Sequence, residues 1–252
     1  MSNCKKPFYH FSIDDVFDSL IEVSDSSDNF FSHYFFKFLE MIHVKYNTNF
    51  DLYCFYQNKI NNKLRTLNEV SDEYKEIFLN NSWLRFGPHA LDYDSPPYAQ
   101  TPEQQIQIFD SIYEEIKRFS GSFSKSEFLR LHFFTESYEL SSYFKTKNVH
   151  SLFTTDKPAI AYRLNDDMKS DLTSNGHVKF NEIQFIRSHF RIETLVNENF
   201  SDVKICKLID HCLSNHGFVA FLTHERELVR PEIQKTIEFV LNYLKEHKII
   251  SI

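Results

Sequence analysis

Glycine is scarce in this sequence, with only 4 among 252 residues. No glycine-rich phosphate loop follows the first predicted strand, so a dinucleotide-binding fold has little support. The 4 cysteines lie outside any metal-binding spacing and are expected to be reduced, mostly buried thiols. No serine or cysteine occupies a nucleophile-elbow context, which disfavours covalent acyl transfer, and the His-x-His and His-Glu-x-x-His zinc motifs are absent.

The sequence also lacks an excess of positive charge and long apolar runs. The net charge of -7 argues against a nucleic-acid partner, which would need a basic surface. No segment approaches the roughly 20 apolar residues of a membrane span. The first residues carry neither an apolar run nor a cleavage signal. We therefore expect a cytoplasmic protein with no transmembrane segment.

The composition is that of a globular protein able to bury a full core, with 42% hydrophobic and 25% charged residues. A length of 252 residues is long for one ordinary domain but normal for one α/β barrel. Neither an internal repeat nor a Pro/Gly/Ser-rich linker divides the chain. We predict one domain over residues 1–252.

Strand-like and helix-like segments alternate along the chain. The clearest helix is Pro102–Phe119, with Thr101 as its N-cap and Gly121 after its end. A last amphipathic helix is predicted near Pro231–Glu246. About seven strand–helix repeats imply a parallel sheet with helices outside, and we predict a single distorted parallel (β/α)7-type barrel. The predicted strands are Phe8–Ile13, Phe50–Tyr56, Trp83–Pro88, Phe128–Phe133, Ser151–Thr154, Glu182–His189 and Phe218–Thr223.

Polar residues gather at the C-terminal ends of these strands, which is where parallel barrels carry their chemistry. Alternation along the fourth strand predicts that Arg130 and His132 face the barrel mouth, while Leu129, Leu131 and Phe133 face the helical layer. The polar set comprises Asp14 and Asp15 after the first strand, His89, Asp92 and Asp94 after the third, Arg130 and His132 on the fourth, Arg187 and His189 on the sixth, and His224 and Glu225 after the last.

Each polar residue also has a plain structural explanation. Asp14 and Asp15 could cap a helix that begins near Val16, and Arg130 could pair with a carboxylate. The coincidence across four or five strands favours function instead. One carboxylate with histidines suits Zn²⁺ or a similar divalent ion with an open position for water. A second carboxylate and another histidine could act as base and acid.

The segment Phe11-Ser12-Ile13-Asp14-Asp15 resembles the first motif of the polysaccharide deacetylase superfamily, Thr/Ser-Phe-Asp-Asp. That resemblance implies that Asp14 is the catalytic base and Asp15 a metal ligand.

His89 is similar to the first histidine of the family's second motif, His-Ser/Thr-x-x-His, whose two histidines bind the metal. Tyr93 stands where the second histidine would be, so another residue must supply the third ligand. Asp92, Asp94 and His132 are the candidates, and we favour His132 because its predicted strand points it into the mouth.

Two later segments extend the resemblance. Arg130-Leu131-His132 resembles the third motif, Arg-x-Pro, with histidine in place of proline. Leu222-Thr223-His224 resembles the last motif, in which the histidine is the general acid. The resemblance implies a metal-dependent hydrolase that removes an acyl group, in the first instance N-acetyl, from a sugar or glycan precursor, with metal-activated water as nucleophile.

The expected cofactor is a divalent metal ion, Zn²⁺ in the first instance and Co²⁺, Ni²⁺ or Mn²⁺ otherwise. The expected partner is a carbohydrate in cell-surface polysaccharide biosynthesis, contacted by Arg130, Asp92, Tyr93 and Asp94. Two alternatives remain open: a metal-independent glycosidase that uses paired carboxylates such as Asp14 and Asp94, and a degenerate barrel that only binds carbohydrate or a protein partner. Metal content discriminates between the enzyme classes.

Overall fold

The computed structural model describes residues 6–26, 29–135, 138–156 and 164–252. Its strands are β1 (Phe8–Val16), β2 (Phe50–Phe55), β3 (Gln57–Ile60), β4 (Lys63–Thr66), β5 (Leu84–Ala90), β6 (Phe128–Leu129), β7 (Ser151–Thr154), β8 (His177–Phe180), β9 (Ile183–Arg187), β10 (Phe190–Arg191), β11 (Phe218–His224) and β12 (Ile250–Ser251). Its α-helices are α1 (Asp18–Asp25), α2 (Tyr34–Tyr46), α3 (Lys75–Asn80), α4 (Pro102–Ser120), α5 (Ser141–Thr146), α6 (Asp166–Asn175), α7 (Ile192–Asn197), α8 (Asp202–His216) and α9 (Pro231–Glu246).

Parallel pairing dominates the sheet that carries the predicted site. Strands β10, β11, β1, β2 and β5 are neighbours in that order, and β12 pairs with β1. In the register between β1 and β11, Asp14 lies opposite His224. A second sheet has the order β6-β7-β9-β8, with β8 antiparallel to β9, and β3 and β4 form a separate antiparallel hairpin.

The two sheets meet at two sparsely bonded seams. At one seam, an isolated parallel bridge joins Phe86 on β5 to Lys125, just before β6. At the other, the chain runs from β9, which pairs with β7, into β10, which pairs with β11. The strands therefore follow one another as β1, β2, β5, β6, β7, β9–β10 and β11. The predicted α/β class, a distorted barrel of the (β/α)7 type, is confirmed.

Aromatic side chains fill much of the space between the strands and the helices. Phe78 packs edge-on against Phe86 at 4.9 Å and against Phe119 at 5.9 Å between ring centroids. Such pairs contribute about 0.5–1.5 kcal/mol beyond the burial of their area. Gly87 lets the Leu129 side chain of β6 pack closely against β5, since a Cβ there would lie 2.2 Å from Leu129 Cδ2.

Helix α4 follows its sequence signals closely. Thr101 Oγ1 accepts a hydrogen bond from the Gln104 backbone N–H at 3.3 Å, and the Gln104 side chain accepts one from the Thr101 N–H at 2.9 Å. This capping box satisfies two backbone donors at the helix start. Gly121, with a φ of 87°, follows the last residue. Of the cysteines, Cys54 and Cys212 are buried free thiols and Cys206 is half-buried, while Cys4 lies outside the described residues.

The fourth strand is shorter than predicted. It ends at Leu129, and the chain turns through a 3-10 segment, His132–Phe134. Phe133 and Phe134 have φ values of 52° and 50°, a left-handed conformation that bulky residues rarely adopt. Alternation fails beyond the strand, so Phe133 is exposed instead of facing the helical layer, and that prediction is wrong.

From the sequence, we expect His189 among the polar residues at the C-terminal ends of the strands, and the structure contradicts this. Its Nδ1 accepts a hydrogen bond from the Ala220 backbone N–H at 3.1 Å. Its ring stacks on His216 at 5.2 Å between centroids. His216 is the last residue of α8, which leads into β11. His189 therefore lies toward the N-terminal end of β11 and not at its C-terminal end. Among the helices of the described ranges, none combines the length and apolar character needed to cross a membrane.

Candidate functional site

The end of β1 brings two neighbouring carboxylates to the barrel mouth. The pairing of β1 with β2 shifts register between Ile13 and Val16, and Asp15 has a φ of 62°. A bulge of this kind inserts an extra residue and redirects the side chains around it. It explains how Asp14 and Asp15 both reach one pocket, although alternation would place them on opposite faces of a regular strand.

Asp14 does not cap a helix, because α1 begins only at Asp18. The carboxylate that does cap α1 belongs to Glu225, which is buried and comes from the end of β11. It accepts hydrogen bonds from the backbone N–H groups of Phe17 at 3.0 Å, Asp18 at 3.1 Å and Ser19 at 2.7 Å. Glu225 therefore serves the helix N-terminus, and Asp14 is left for another task.

Three buried side chains from separate strand ends converge beside this bulge. They are Asp15, His89 at the end of β5 and His132 after β6, and one potential ligand atom from each lies within 4.8 Å of the others. Asp15 Oδ1 is 3.3 Å from His89 Nε2 and 3.4 Å from His132 Nδ1. That oxygen has no hydrogen-bond partner among the described residues.

Backbone carbonyls fix the orientation of both histidines. His89 Nδ1 donates to the Arg130 carbonyl at 2.7 Å, and His132 Nε2 donates to the Tyr93 carbonyl at 3.1 Å. Because a carbonyl can only accept, each of these nitrogens carries the proton, and the other nitrogen of a neutral ring is bare. Two bare nitrogens and a carboxylate oxygen thus face one point, an arrangement that a cation would stabilise.

The electrostatics keep Asp15 ionised and His132 neutral, which are the forms that bind metal. Burial alone would raise the pKa of Asp15, but its interactions with the His89, His224 and His132 imidazoles lower that pKa to about 2. Burial, together with the charge of His89, lowers the pKa of His132 to about 4. One carboxylate and two imidazoles fit a divalent ion that keeps an open position.

Arg130 is hydrogen-bonded to Asp14 from inside the barrel. Its side chain is fully buried. Nη1 donates to Asp14 Oδ1 at 3.1 Å and to the Ser12 hydroxyl, while Nη2 donates to Ser188 Oγ at 2.9 Å. The guanidinium neutralises the Asp14 carboxylate and has no route to a ligand in the pocket. The structure therefore argues against the predicted substrate contact by Arg130.

His224 pairs with an acidic residue that the sequence did not reveal. Its Nδ1 makes a short hydrogen bond with Glu193 Oε1, and Glu193 Oε2 accepts one from Thr223 Oγ1 at 3.1 Å. Burial lowers the pKa of His224, but the bond to Glu193 and the charge of Asp15 outweigh it, so the net shift is upward. The predicted sixth strand ends at His189 and does not reach Glu193, whereas in the structure the chain returns to the sheet at β10, just before Glu193.

These groups line a pocket of about 160 Å³ at the barrel mouth. Tyr93, Phe133 and Phe134 add aromatic surface to its wall. Asp14, Asp15, His89, His132 and His224 lie together there, with Leu131, Arg191 and Arg226 completing the lining.

A second recess adjoins the first across Tyr93 and Arg226, which line both. Asp94 belongs to this second recess, and Asp92 is among the lining residues of neither. Instead, Asp92 Oδ2 accepts from Gln57 Nε2 at 2.9 Å, and Oδ1 accepts the backbone N–H of Asp94 at 3.1 Å. Asp92 thus stabilises the turn that carries Tyr93.

No protein-family model matches this sequence, and no curated protein matches it either. Solved structures do match the fold. A 4-alpha-glucanotransferase from Thermococcus litoralis superposes with a TM-score of 0.58 at 11% identity, over 97% of this chain and 36% of that one. The chain thus spans about a third of that protein's length.

A protein of Mycobacterium smegmatis assigned as a polysaccharide deacetylase superposes with a TM-score of 0.54 at 10% identity. That match covers 100% of this chain and 88% of the other. The fold implied by the sequence motifs is therefore confirmed.

Proposed function

We propose that this protein is a divergent metal-dependent hydrolase that removes an acyl group, N-acetyl in the first instance, from a sugar or glycan precursor. The observation that carries the proposal is the convergence of two bare imidazole nitrogens on Asp15 Oδ1, with Asp14 and His224 in the same pocket. The motif resemblance and the shared fold with a protein assigned as a deacetylase support the same reaction.

Asp15, His89 and His132 would hold the metal ion. Zn²⁺ suits a carboxylate with two imidazoles best, and Co²⁺, Ni²⁺ or Mn²⁺ would suit the same set. When bound, such an ion lowers the pKa of water and stabilises negative charge on a carbonyl oxygen.

The remaining groups would divide the proton transfers between them. Arg130 holds Asp14 through Oδ1, so Oδ2 would accept the proton that the attacking water loses. Glu193 holds His224 through Nδ1, so Nε2 would deliver a proton to the nitrogen of the departing amine. Water adds to the acyl carbon, the carbon–nitrogen bond breaks, and a free carboxylic acid and an amino sugar result.

The proposal also covers the substrate, the location and the biological role. We propose a carbohydrate substrate, contacted by Tyr93 and Asp94 from the pocket wall. The predictions of one domain over residues 1–252, of a cytoplasmic location and of a role in cell-surface polysaccharide biosynthesis stay predictions.

Two alternatives have less support. A glycosidase needs two carboxylates that flank one bond, whereas Asp14 and Asp94 line different recesses. A barrel that only binds carbohydrate would have no need for the Arg130–Asp14 and Glu193–His224 pairs.

Metal analysis combined with an acetate-release assay tests the proposal. Protein purified and loaded with Zn²⁺ should hold close to one ion per chain, and Asp15→Asn, His89→Ala and His132→Ala should each lose most of it, because each removes one of only three protein ligands. His150→Ala is the matched control, since His150 is an exposed histidine that pairs with Glu127 on the surface. Full metal occupancy in all three variants would eliminate the site.

A further inference from the structure

Two arginines on the pocket wall have no part in the proposed proton transfers. Arg191 ends β10, and Arg226 lies in the short 3-10 segment, Glu225–Val229, that follows β11. Both line the pocket that contains Asp14, Asp15 and His224. They lie at the ends of the neighbouring strands β10 and β11 and line the same pocket, so two cationic groups are available to one ligand.

The charge of Arg191 is only weakly compensated. Its Nη2 lies 3.7 Å from Asp156 Oδ1, a long ion pair, and its Nε has no hydrogen-bond partner within the described part of the chain. The guanidinium lies 5.5 Å from the centre of the Phe134 ring. An aromatic face beneath a guanidinium leaves the N–H edges free for a planar acceptor.

Arg226 is arranged in a similar way on its own side of the pocket. Its Nη1 is 3.3 Å from Asp15 Oδ2, and its Nε lies 3.8 Å from Glu227 Oε1, a long ion pair. The guanidinium lies 5.2 Å from the centre of the Tyr93 ring. The side chain is 54% exposed, so most of its donors are available. Arg226 is thus another guanidinium stacked on an aromatic ring at the pocket wall.

The other charges in the pocket are matched internally. Asp14 is paired with Arg130, and His224 is paired with Glu193. A divalent ion at Asp15 would more than offset that carboxylate. Apart from that carboxylate, the two stacked arginines have only the long ion pairs with Asp156 and Glu227, so their positive charge favours an anion.

The second recess has the opposite character and gives the pocket a polarity. Asp18, Asp94 and Glu225 line it, together with Asp15 and Arg226, which also line the first pocket. Asp18 Oδ1 accepts a hydrogen bond from Asn58 Nδ2 at 2.9 Å. An anionic group would be repelled there and attracted toward Arg191.

We infer that the substrate is an acyl sugar that carries an anionic substituent, a carboxylate or a phosphate, held by the Arg191 and Arg226 guanidinium groups. The inference rests on the proposed deacetylase function for the identity of the sugar. Guanidinium groups bind carboxylate and phosphate through paired N–H···O bonds, so either anion fits the same two side chains.

Calorimetric binding to the Zn²⁺-loaded protein tests this with three probes. N-acetylglucosamine is the neutral probe, N-acetylmuramic acid supplies a carboxylate, and N-acetylglucosamine 1-phosphate supplies a phosphate. At least one anionic probe should bind about 10- to 100-fold more tightly than the neutral one, as expected for one or two charge-assisted hydrogen bonds. The anion that binds more tightly identifies the source of the charge.

Arginine variants separate recognition by the side chains from binding to the metal itself. In Arg191→Gln and in Arg226→Gln, the ratio of neutral to anionic dissociation constants should fall by about tenfold each. Arg230→Gln is the matched control and should keep the wild-type ratio, because Arg230 pairs with Glu227 and Glu232 outside both recesses. Arg191→Gln carries the test if Arg226→Gln loses metal, since Arg226 contacts Asp15.

Equal affinity for the three probes would overturn the inference, and so would an anionic preference that survives in both variants. These outcomes leave the proposed reaction intact if acetate is still released from the neutral sugar. Conversely, an arginine-dependent preference without acetate release from any probe would sustain the anion site and count against the hydrolase.

Discussion

Replacing Asp14 with asparagine tests the proposed base and its supporting arginine together. The substitution preserves size and removes the carboxylate that would accept a proton from water. General bases typically contribute 10²- to 10⁴-fold, so the rate should fall by about that factor. Metal content should stay at the wild-type level, because the proposed ligands are Asp15, His89 and His132.

The same substitution should also cost stability. Asp14 Oδ1 accepts from Arg130, whose side chain is fully buried, so asparagine leaves a buried cation without its counter-charge. Removing one partner of a buried ion pair costs about 3–5 kcal/mol. Because the amide oxygen can still accept a hydrogen bond, we expect the lower end, about 3 kcal/mol.

Urea unfolding of the single and double variants measures this term. Arg130→Met in the Asp14→Asn background should cost less than the sum of the two single changes, with a coupling energy of about 0.5–3 kcal/mol. Asp166→Asn, at an exposed aspartate in the first turn of α6, should change neither rate nor stability appreciably. A near wild-type rate of acetate release by Asp14→Asn would refute the base assignment, and additive stability effects would refute the ion-pair argument.

Three further predictions concern other parts of the molecule. Glu193→Gln removes the group that raises the pKa of His224, so the high-pH limb of the rate profile should move to lower pH, and an unmoved limb would rule out His224 as the acid. Burial, with smaller contributions from His216 and Arg187, lowers the pKa of His189 to about 3. The unfolded chain therefore binds the proton first, stability should fall as pH drops from about 6.5 toward 3, and urea titrations of His189→Gln should show a flatter dependence. Gly87→Ala would bring a Cβ to 2.2 Å from Leu129 Cδ2 and should destabilise the fold by about 1–3 kcal/mol, so an unchanged urea midpoint would show that the strands can separate there.

Local sequence patterns predicted most of the framework. Helix α9 has the predicted bounds, and β7 matches residue for residue, because turn residues and periodicity mark both. Alternation failed where regular strand geometry ends. The bulge at Asp15 and the left-handed pair Phe133 and Phe134 depend on contacts with distant segments, which local periodicity does not contain.

The hairpin of β3 and β4 and the antiparallel strand β8 were not predicted. Their residues are mostly polar and none is buried, so they lack the apolar alternation that identifies a half-buried strand.

The position of polar residues at predicted strand ends pointed to Asp14, Asp15, His89 and His224, which line one pocket because parallel strands bring their C-terminal ends together. His132 reached the pocket for a different reason than alternation, since its strand ends three residues earlier and a 3-10 turn places it. Arg226 and Glu193 had no signal of their own. Each acts through a partner from a remote segment, and only the folded chain reveals such pairs.

Backbone hydrogen bonding is uneven around the barrel, and it differs between the residues proposed for catalysis and those proposed for ligand recognition. Asp14, Asp15, His89 and His224 sit on the continuously paired strands β11, β1, β2 and β5, where many backbone bonds hold their relative positions. Phe133 and Phe134 lie beyond the first seam, after β6, and Arg191 lies at the second, on β10, which pairs with β11 at only two residues. Substitutions on these less tightly paired segments can change which ligand fits the mouth, while the proposed acid and base keep their spacing. Substrate specificity could therefore change during evolution while the reaction stays the same.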